Sequence, residues 1–348
     1  MSGDGTLNEA YERLHRLGPE FEGWLTNHAP MAAESLVAHG HEDVVHRWLD
    51  QYVGQLEEKP RGLWPIDPAE WRPAMGDPHR LGDWLTFFEH EVDSRPWREV
   101  LETWWPRLLP GIAAGATHGV IRTGHAVRAL LLQEDAPRLA EFAQALGYWA
   151  ARWQSVPGVV APAGTADFDA ALDAVPQVPE QARGINHRLD QLAGLGGWSA
   201  ALASLEPAAD PGEARRRLTR LADAATLRYL SHGHGSGIML VHTATAPTAV
   251  LRTLPALPRS QWVDSFNAAW AASAAVVAAY GPAEPLPGEA LPVAAHTPEE
   301  VFEQAVEHAD AHVIKLADTA LDVFERTGDR GALSAVVHAG NLIQRPGD

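Results

Sequence analysis

His312 and Lys315 stand three residues apart in the segment Asp310-Ala311-His312-Val313-Ile314-Lys315-Leu316. Three helical residues turn about 300°, so both side chains emerge on one face. Only two lysines occur, Lys59 and Lys315, and the surface charge is otherwise carried by Arg, Glu and Asp. A lysine retained inside an Ala/Val/Ile-rich helix reads as one whose amine is needed. With 17 histidines and no cysteine, the chemistry on offer is a nitrogen/oxygen metal site. An ammonium cannot ligate a cation, so Lys315 would act neutral or carboxylated, the carbamate supplying hard oxygen donors. The blander reading has Lys315 snorkel to solvent from an apolar face.

Further histidines sit beside small or apolar residues. His28 lies in Asn27-His28-Ala29-Pro30-Met31 at the start of a helix. His118 and His125, seven apart and so on one helix face, frame Gly119-Val120-Ile121-Arg122-Thr123-Gly124. Gly115, Gly119 and Gly124 each cost helix propensity of roughly 1 kcal/mol, which predicts close approach of another backbone or a ligand. His232, His234 and His242 follow in a third segment, and His308 joins His312 in the fourth. Any one of these is more simply a core or surface residue. Four helices each offering one inward histidine fit the way bundle metal sites are built. His15, His39, His41, His46, His79 and His90 read as surface.

The elements that must carry these residues are helical almost throughout. The spacing predicts helices over Leu7 to Leu17, from Asn27 to Gly40, over His41 to Leu56 and over Arg80 to Glu91. Pro96 to Leu132 follows, broken or kinked at Pro106 and Pro110, and then Asp135 to Trp153. Later helices cover Pro211 to Tyr229, Ile238 to Leu254, Gln261 to Tyr280, Pro298 to Arg326 and Gly331 to Ile343. Residues 60–79 read as an ordered loop. Residues 155–185 and 281–297 are Pro-rich and read as flexible or lid segments. The prediction is all-α, a single helical-bundle domain over residues 1–348 with long Pro/Gly-rich loops. Thirteen tryptophans suggest rings lining a cavity, with packing as the commoner use.

The formal charge of −18, with no basic run to compensate it, argues against nucleic acid or an anionic membrane as partner. The absence of cysteine removes disulfides, thiolate ligands, Fe–S clusters and a cysteine nucleophile. Met1-Ser2-Gly3-Asp4-Gly5 lacks a basic leader region, and no apolar run reaches the length of a membrane span. A cytoplasmic protein is expected, with oligomerisation left open.

Taken in order, several segments resemble the questin oxidase-like family over about residues 8–330. They are Asn27-His28-Ala29-Pro30-Met31, Trp105-Pro106-Arg107-Leu108-Leu109-Pro110-Gly111 leading to His118-Gly119-Val120-Ile121-Arg122, His242-Thr243-Ala244-Thr245-Ala246-Pro247, and Asp310-Ala311-His312-Val313-Ile314-Lys315. The resemblance implies an all-helical oxygenase that opens a ring of an anthraquinone or related fused aromatic polyketide, by Baeyer–Villiger-like or dioxygenase-type oxidation. It also implies a non-haem metal held by four histidines and a carboxylated lysine, here His28, His118, His242, His312 and Lys315. His125 stands where the fungal pattern has tyrosine, and so reads as a substrate contact or a residue behind the ligands.

Flavin and nicotinamide chemistry usually sits on Rossmann folds, and no Gly-x-Gly-x-x-Gly links a strand to a helix here. Gly233-His234-Gly235-Ser236-Gly237 has the wrong spacing and reads as a flexible turn. A metal is then the simpler route to O2: Fe(II) first, with Mn or Zn as alternatives. A need for NADPH stays open. A small hydroxyaromatic and O2 are the expected partners, with Arg122 or His125 stabilising a phenolate. The rival readings are a metal-dependent hydrolase, on the strength of His232-Gly233-His234, and a non-catalytic helical protein binding an aromatic ligand.

Overall fold

A computed structural model describes residues 3–347; the polar start at Met1 and Ser2 lies outside them. Among the described residues the chain forms sixteen α-helices and one two-stranded hairpin, so the all-α prediction holds. No helix there is long and apolar enough to cross a membrane. The chain divides into two compact units. One takes the residues up to Ser155 with Arg252–Pro258, and the other takes Val156–Leu251 with the residues from Arg259.

The first unit holds α1 (Gly3–Leu14), the hairpin β1 (Glu20–Phe21) and β2 (Leu25–Thr26), α2 (Ala29–Ala38), α3 (Glu42–Tyr52), α4 (Leu81–Ser94), α5 (Trp97–Leu108), α6 (His118–Leu132) and α7 (Ala136–Ala151). Asp135 starts α7 by accepting the Arg138 N–H, with Pro137 in the first turn. Helix α7 packs against both α4 and α6. Glycine makes that closeness possible: a Cβ on Gly147 would lie 3.0 Å from Leu85, and one on Gly119 would lie 2.6 Å from the Trp149 ring. Pro106 sits inside α5 without ending it. The break comes at Pro110, in a single 3₁₀ turn over Leu109–Gly111.

The second unit holds α8 (Phe168–Asp173), α9 (Ile185–Asp190), α10 (Trp198–Ser204), α11 (Pro211–His232), α12 (Gly237–Thr253, belonging here as far as Leu251), α13 (Trp262–Tyr280), α14 (Pro298–His308), α15 (Ala311–Thr327) and α16 (Gly331–Leu342). Helix α11 packs on α13, α15 and α16, and the alanine-rich α13 lets its neighbours come close. Here the sequence misleads at one point. The predicted helix from Pro298 to Arg326 is two helices, because Ala309 turns left-handed at φ 66° and Asp310 caps a fresh start. Region 155–185 also contains α8, which its Pro/Gly content hid.

Seven tryptophans are fully buried, with indole N–H groups that find hydrogen-bond acceptors. Trp84, Trp149, Trp198 and Trp270 donate to main-chain carbonyls, and Trp97 and Trp104 to Glu134 and Glu91. Trp84, Phe87, Phe88 and Trp104 stack edge to face or in offset pairs at 5.0–5.8 Å. These rings build core; packing accounts for them.

Candidate metal centre

In the first unit His28 precedes α2 and His118 opens α6. The chain reaches His118 through Gly115, Ala116 and Thr117, all left-handed at φ 52°, 57° and 70°. Two non-glycine residues in that region cost about 1–3 kcal/mol each, a strain that surrounding contacts must sustain. The contacts are visible: Thr26 Oγ1 and Tyr148 Oη lie 2.5 Å apart, and a Cβ on Gly115 would sit 2.2 Å from that phenol oxygen. The close approach predicted for Gly115 and Gly119 is therefore made by rings of α7. The outcome of the turn is that Nε2 of His28 lies 2.8 Å from Nε2 of His118, both residues buried.

The other ring nitrogens are anchored. His118 Nδ1 donates to the Gly115 carbonyl at 2.6 Å, which leaves Nε2 of the neutral ring as a lone pair. His28 Nδ1 lies 3.4 Å from the Tyr52 hydroxyl, which also accepts the His28 main-chain N–H at 2.8 Å. Two buried imidazoles with Nδ1 anchored and Nε2 converging have the orientation that metal-ligating histidines take.

In the second unit α12 carries His242, and α15 carries His312 and Lys315. The two imidazole centroids are 5.5 Å apart. Again Nδ1 is anchored: His242 Nδ1 faces the Met239 carbonyl at 3.0 Å, and His312 Nδ1 faces Asp310 Oδ1 at 3.2 Å. Asp310 also accepts the His312 main-chain N–H at 2.7 Å, so one carboxylate caps the helix and orients the ring. Burial pushes the His242 pKa well down, helped by Lys315 and His312. Burial and Lys315 lower that of His312, with Asp310 opposing. Both rings are neutral near pH 7, as a metal donor must be.

Lys315 is fully buried, so it does not snorkel to solvent. Burial lowers its pKa to about 7 against the opposing pull of Asp310. A lysine of that basicity has an appreciable fraction of free amine at neutral pH, the species able to add CO2. The Asp310 carboxyl, though burial opposes its charge, is held below the ordinary range by its hydrogen bond with His312.

The first unit also holds two buried carboxylates. Glu34 of α2 accepts from His125 Nδ1 at 2.7 Å and from Arg128 Nε at 2.6 Å. Glu141 of α7 accepts from Arg122 Nε and Nη2 at 2.5 and 2.7 Å, and from His15 Nε2 at 2.9 Å. Burial works against both charges, yet the arginines and histidines hold both carboxyls below the usual range. Arg122 is itself buried, and its Nη1 has no partner among the described residues. His15, read as surface, has a side chain only 12% exposed because Glu141 draws it inward.

Tyr52, Glu34, Glu141 and Asp310 escaped the sequence reading. Asp310 carried a signal, since an Asp two residues before an inward histidine at a helix start is both cap and ring partner. The others lie far from the histidines in sequence and gave none. His308 Nε2 lies 2.9 Å from the Ile343 carbonyl, a packing role. His232-Gly233-His234 ends α11 and enters a 3₁₀ turn, so the barrel strand that a hydrolase His-x-His pair would need is missing there. Compared with protein families, the chain matches the model described as questin oxidase-like over residues 25–320. No curated protein matches it.

Proposed function

The chain belongs to the questin oxidase-like family, and from that premise we propose that it is a metal-dependent oxygenase that opens a ring of a fused aromatic polyketide such as an anthraquinone. The proposed donors are His28, His118, His242, His312 and a carboxylated Lys315. The observation that carries the reading is shared by all four histidines: each is buried with Nδ1 facing an oxygen, the ring orientation that metal-ligating histidines take. Nitrogen donors with one carbamate oxygen suit Fe(II), with Mn or Zn as alternatives. Bound Fe(II) would supply the binding and activation of O2.

The chain's own residues do the rest. Free Lys315 amine adds CO2, forming an N–C bond and releasing one proton, and the charge of the resulting carbamate would be balanced by the metal cation it holds. Glu34 and Glu141 hold His125 and Arg122 rigid, so these two act through position and field, and a phenolate forming nearby would be steadied by the Arg122 cation. The Met239 and Gly115 carbonyls keep the His242 and His118 rings from turning.

The test is elemental analysis of untagged protein purified without added metal, with an anaerobic Fe(II) titration. We expect about one iron or manganese per chain, lost in His312→Ala and in Lys315→Ala, together with oxygen uptake on hydroxyanthraquinones. Full metal and turnover in Lys315→Ala would sink the ligand set. Stoichiometric zinc without oxygen uptake would favour a hydrolase.

A further inference from the structure

The second unit contains a cavity of about 830 Å³ that the donor set does not use. Its walls come from α8, α11, α12, α13 and the turn after Tyr280. Leu172, Leu240 and Val277 give it an apolar wall, while Asp173, Arg228 and His232 line a polar side of comparable extent. A volume within roughly 300–1,000 Å³ with an apolar wall and convergent polar groups is the form that small-molecule sites take. Thr243 follows His242 directly, so the cavity wall includes the helix that carries a proposed donor.

The polar groups have a definite hydrogen-bonding sense. The Ser231 hydroxyl donates to the Arg228 carbonyl at 3.3 Å, so its oxygen is left to accept from His232 Nδ1 at 2.8 Å. That arrangement puts the imidazole proton on Nδ1 and leaves Nε2 as the ring's acceptor. Burial, then the Arg228 cation, lowers the His232 pKa, with the Arg228 carbonyl and Asp173 opposing and His234 adding to the decrease. The ring is neutral at pH 7. Arg228 is pinned through Nη1 to Asp173 Oδ1 at 2.6 Å, which fixes its cation in the same wall.

We propose that this cavity binds a planar hydroxyaromatic, with the rings against Leu172, Leu240 and Val277 and an aromatic hydroxyl donating to His232 Nε2. A neutral acceptor beside a fixed guanidinium favours an acidic O–H over an amine, because electron density building on that oxygen faces a cation. His232 is thus a specificity residue. This deepens the oxygenase reading and takes its substrate class from it, but binding here needs no metal.

The experiment is a fluorescence titration of the metal-free full chain with a dihydroxyanthraquinone and with unsubstituted anthraquinone. Wild type should prefer the hydroxylated compound. Val277→Trp or Leu172→Trp, each verified as folded by circular dichroism, should weaken it at least about tenfold by filling the cavity. His232→Leu should abolish the preference while still binding the unsubstituted ring, and His232→Gln, with an amide oxygen to accept, should restore part of it. Unchanged affinity in both tryptophan variants, or an unchanged preference in His232→Leu, overturns the proposal. The two readings fail separately. Preferred binding that His232→Leu abolishes, in a protein that consumes no oxygen with Fe(II), leaves the cavity standing and removes the oxygenase. Turnover with unaltered KM in Val277→Trp does the reverse.

Discussion

Lys315 concentrates the energetics of this chain in one side chain. Its amine is buried without access to water, and its pKa falls from the ordinary lysine value to about 7. The unfolded chain therefore holds a proton that the folded chain does not, from about pH 7 up to the ordinary lysine range. In that window stability rises with pH, and below it the full penalty of a buried cation applies. Lys315→Met keeps the volume and removes the charge. Across that window the stability of metal-free wild type should rise with pH relative to metal-free Lys315→Met, whose side chain does not titrate. Melting curves of both proteins across that range check it. A stability difference that stays constant with pH would refute it.

At the scale of elements, α6 is placed by what glycine leaves out. The Trp149 ring occupies the space a Cβ on Gly119 would fill, so Gly119→Ala must push α6 from α7. We expect a loss of about 1–3 kcal/mol, from overpacking, and a weaker Fe(II) affinity because His118 sits one residue away. Calorimetry and the anaerobic titration measure the two effects. An unchanged affinity would show that His118 tolerates the shift. The sequence showed that Gly119 needed closeness but not with whom, because helical period marks a face and not its neighbour. The same limit explains the rest. The helices and their inward histidines were legible from period and composition. The break at Ala309 was not, since Ala is a helix former and only the backbone turn reveals Asp310 as a cap. Nor was Glu141, whose single buried carboxylate joins His15 of the 3–17 region to Arg122 of α6.

At the scale of the molecule, acid acts on the fold through its buried histidines and carboxylates. His232, His242, His312 and His338 all have lowered pKa values from burial, and all belong to the second unit. Their unfolded counterparts gain protons first, so that unit loses stability as pH falls through the ordinary histidine range. Glu34 and Glu141 of the first unit have lowered carboxyls, whose contribution persists until pH falls through the carboxylate range. Hydrogen exchange of the metal-free protein should show α11–α16 losing protection as pH falls from 7 to about 5.5. Unchanged protection of these helices over that range would refute the assignment.

The left-handed turn that delivers His118 has a consequence for descent. Gly115 has no side chain, and the Tyr148 phenol oxygen stands where one would begin. The two positions are one heritable unit: a lineage that gains a side chain at 115 must surrender the tyrosine at 148, and with it the hydroxyl contact to Thr26. A side chain at 115 is tolerable only once the phenol oxygen at 148 is gone. Among descendants of this chain, drift at these sites should come as paired replacements.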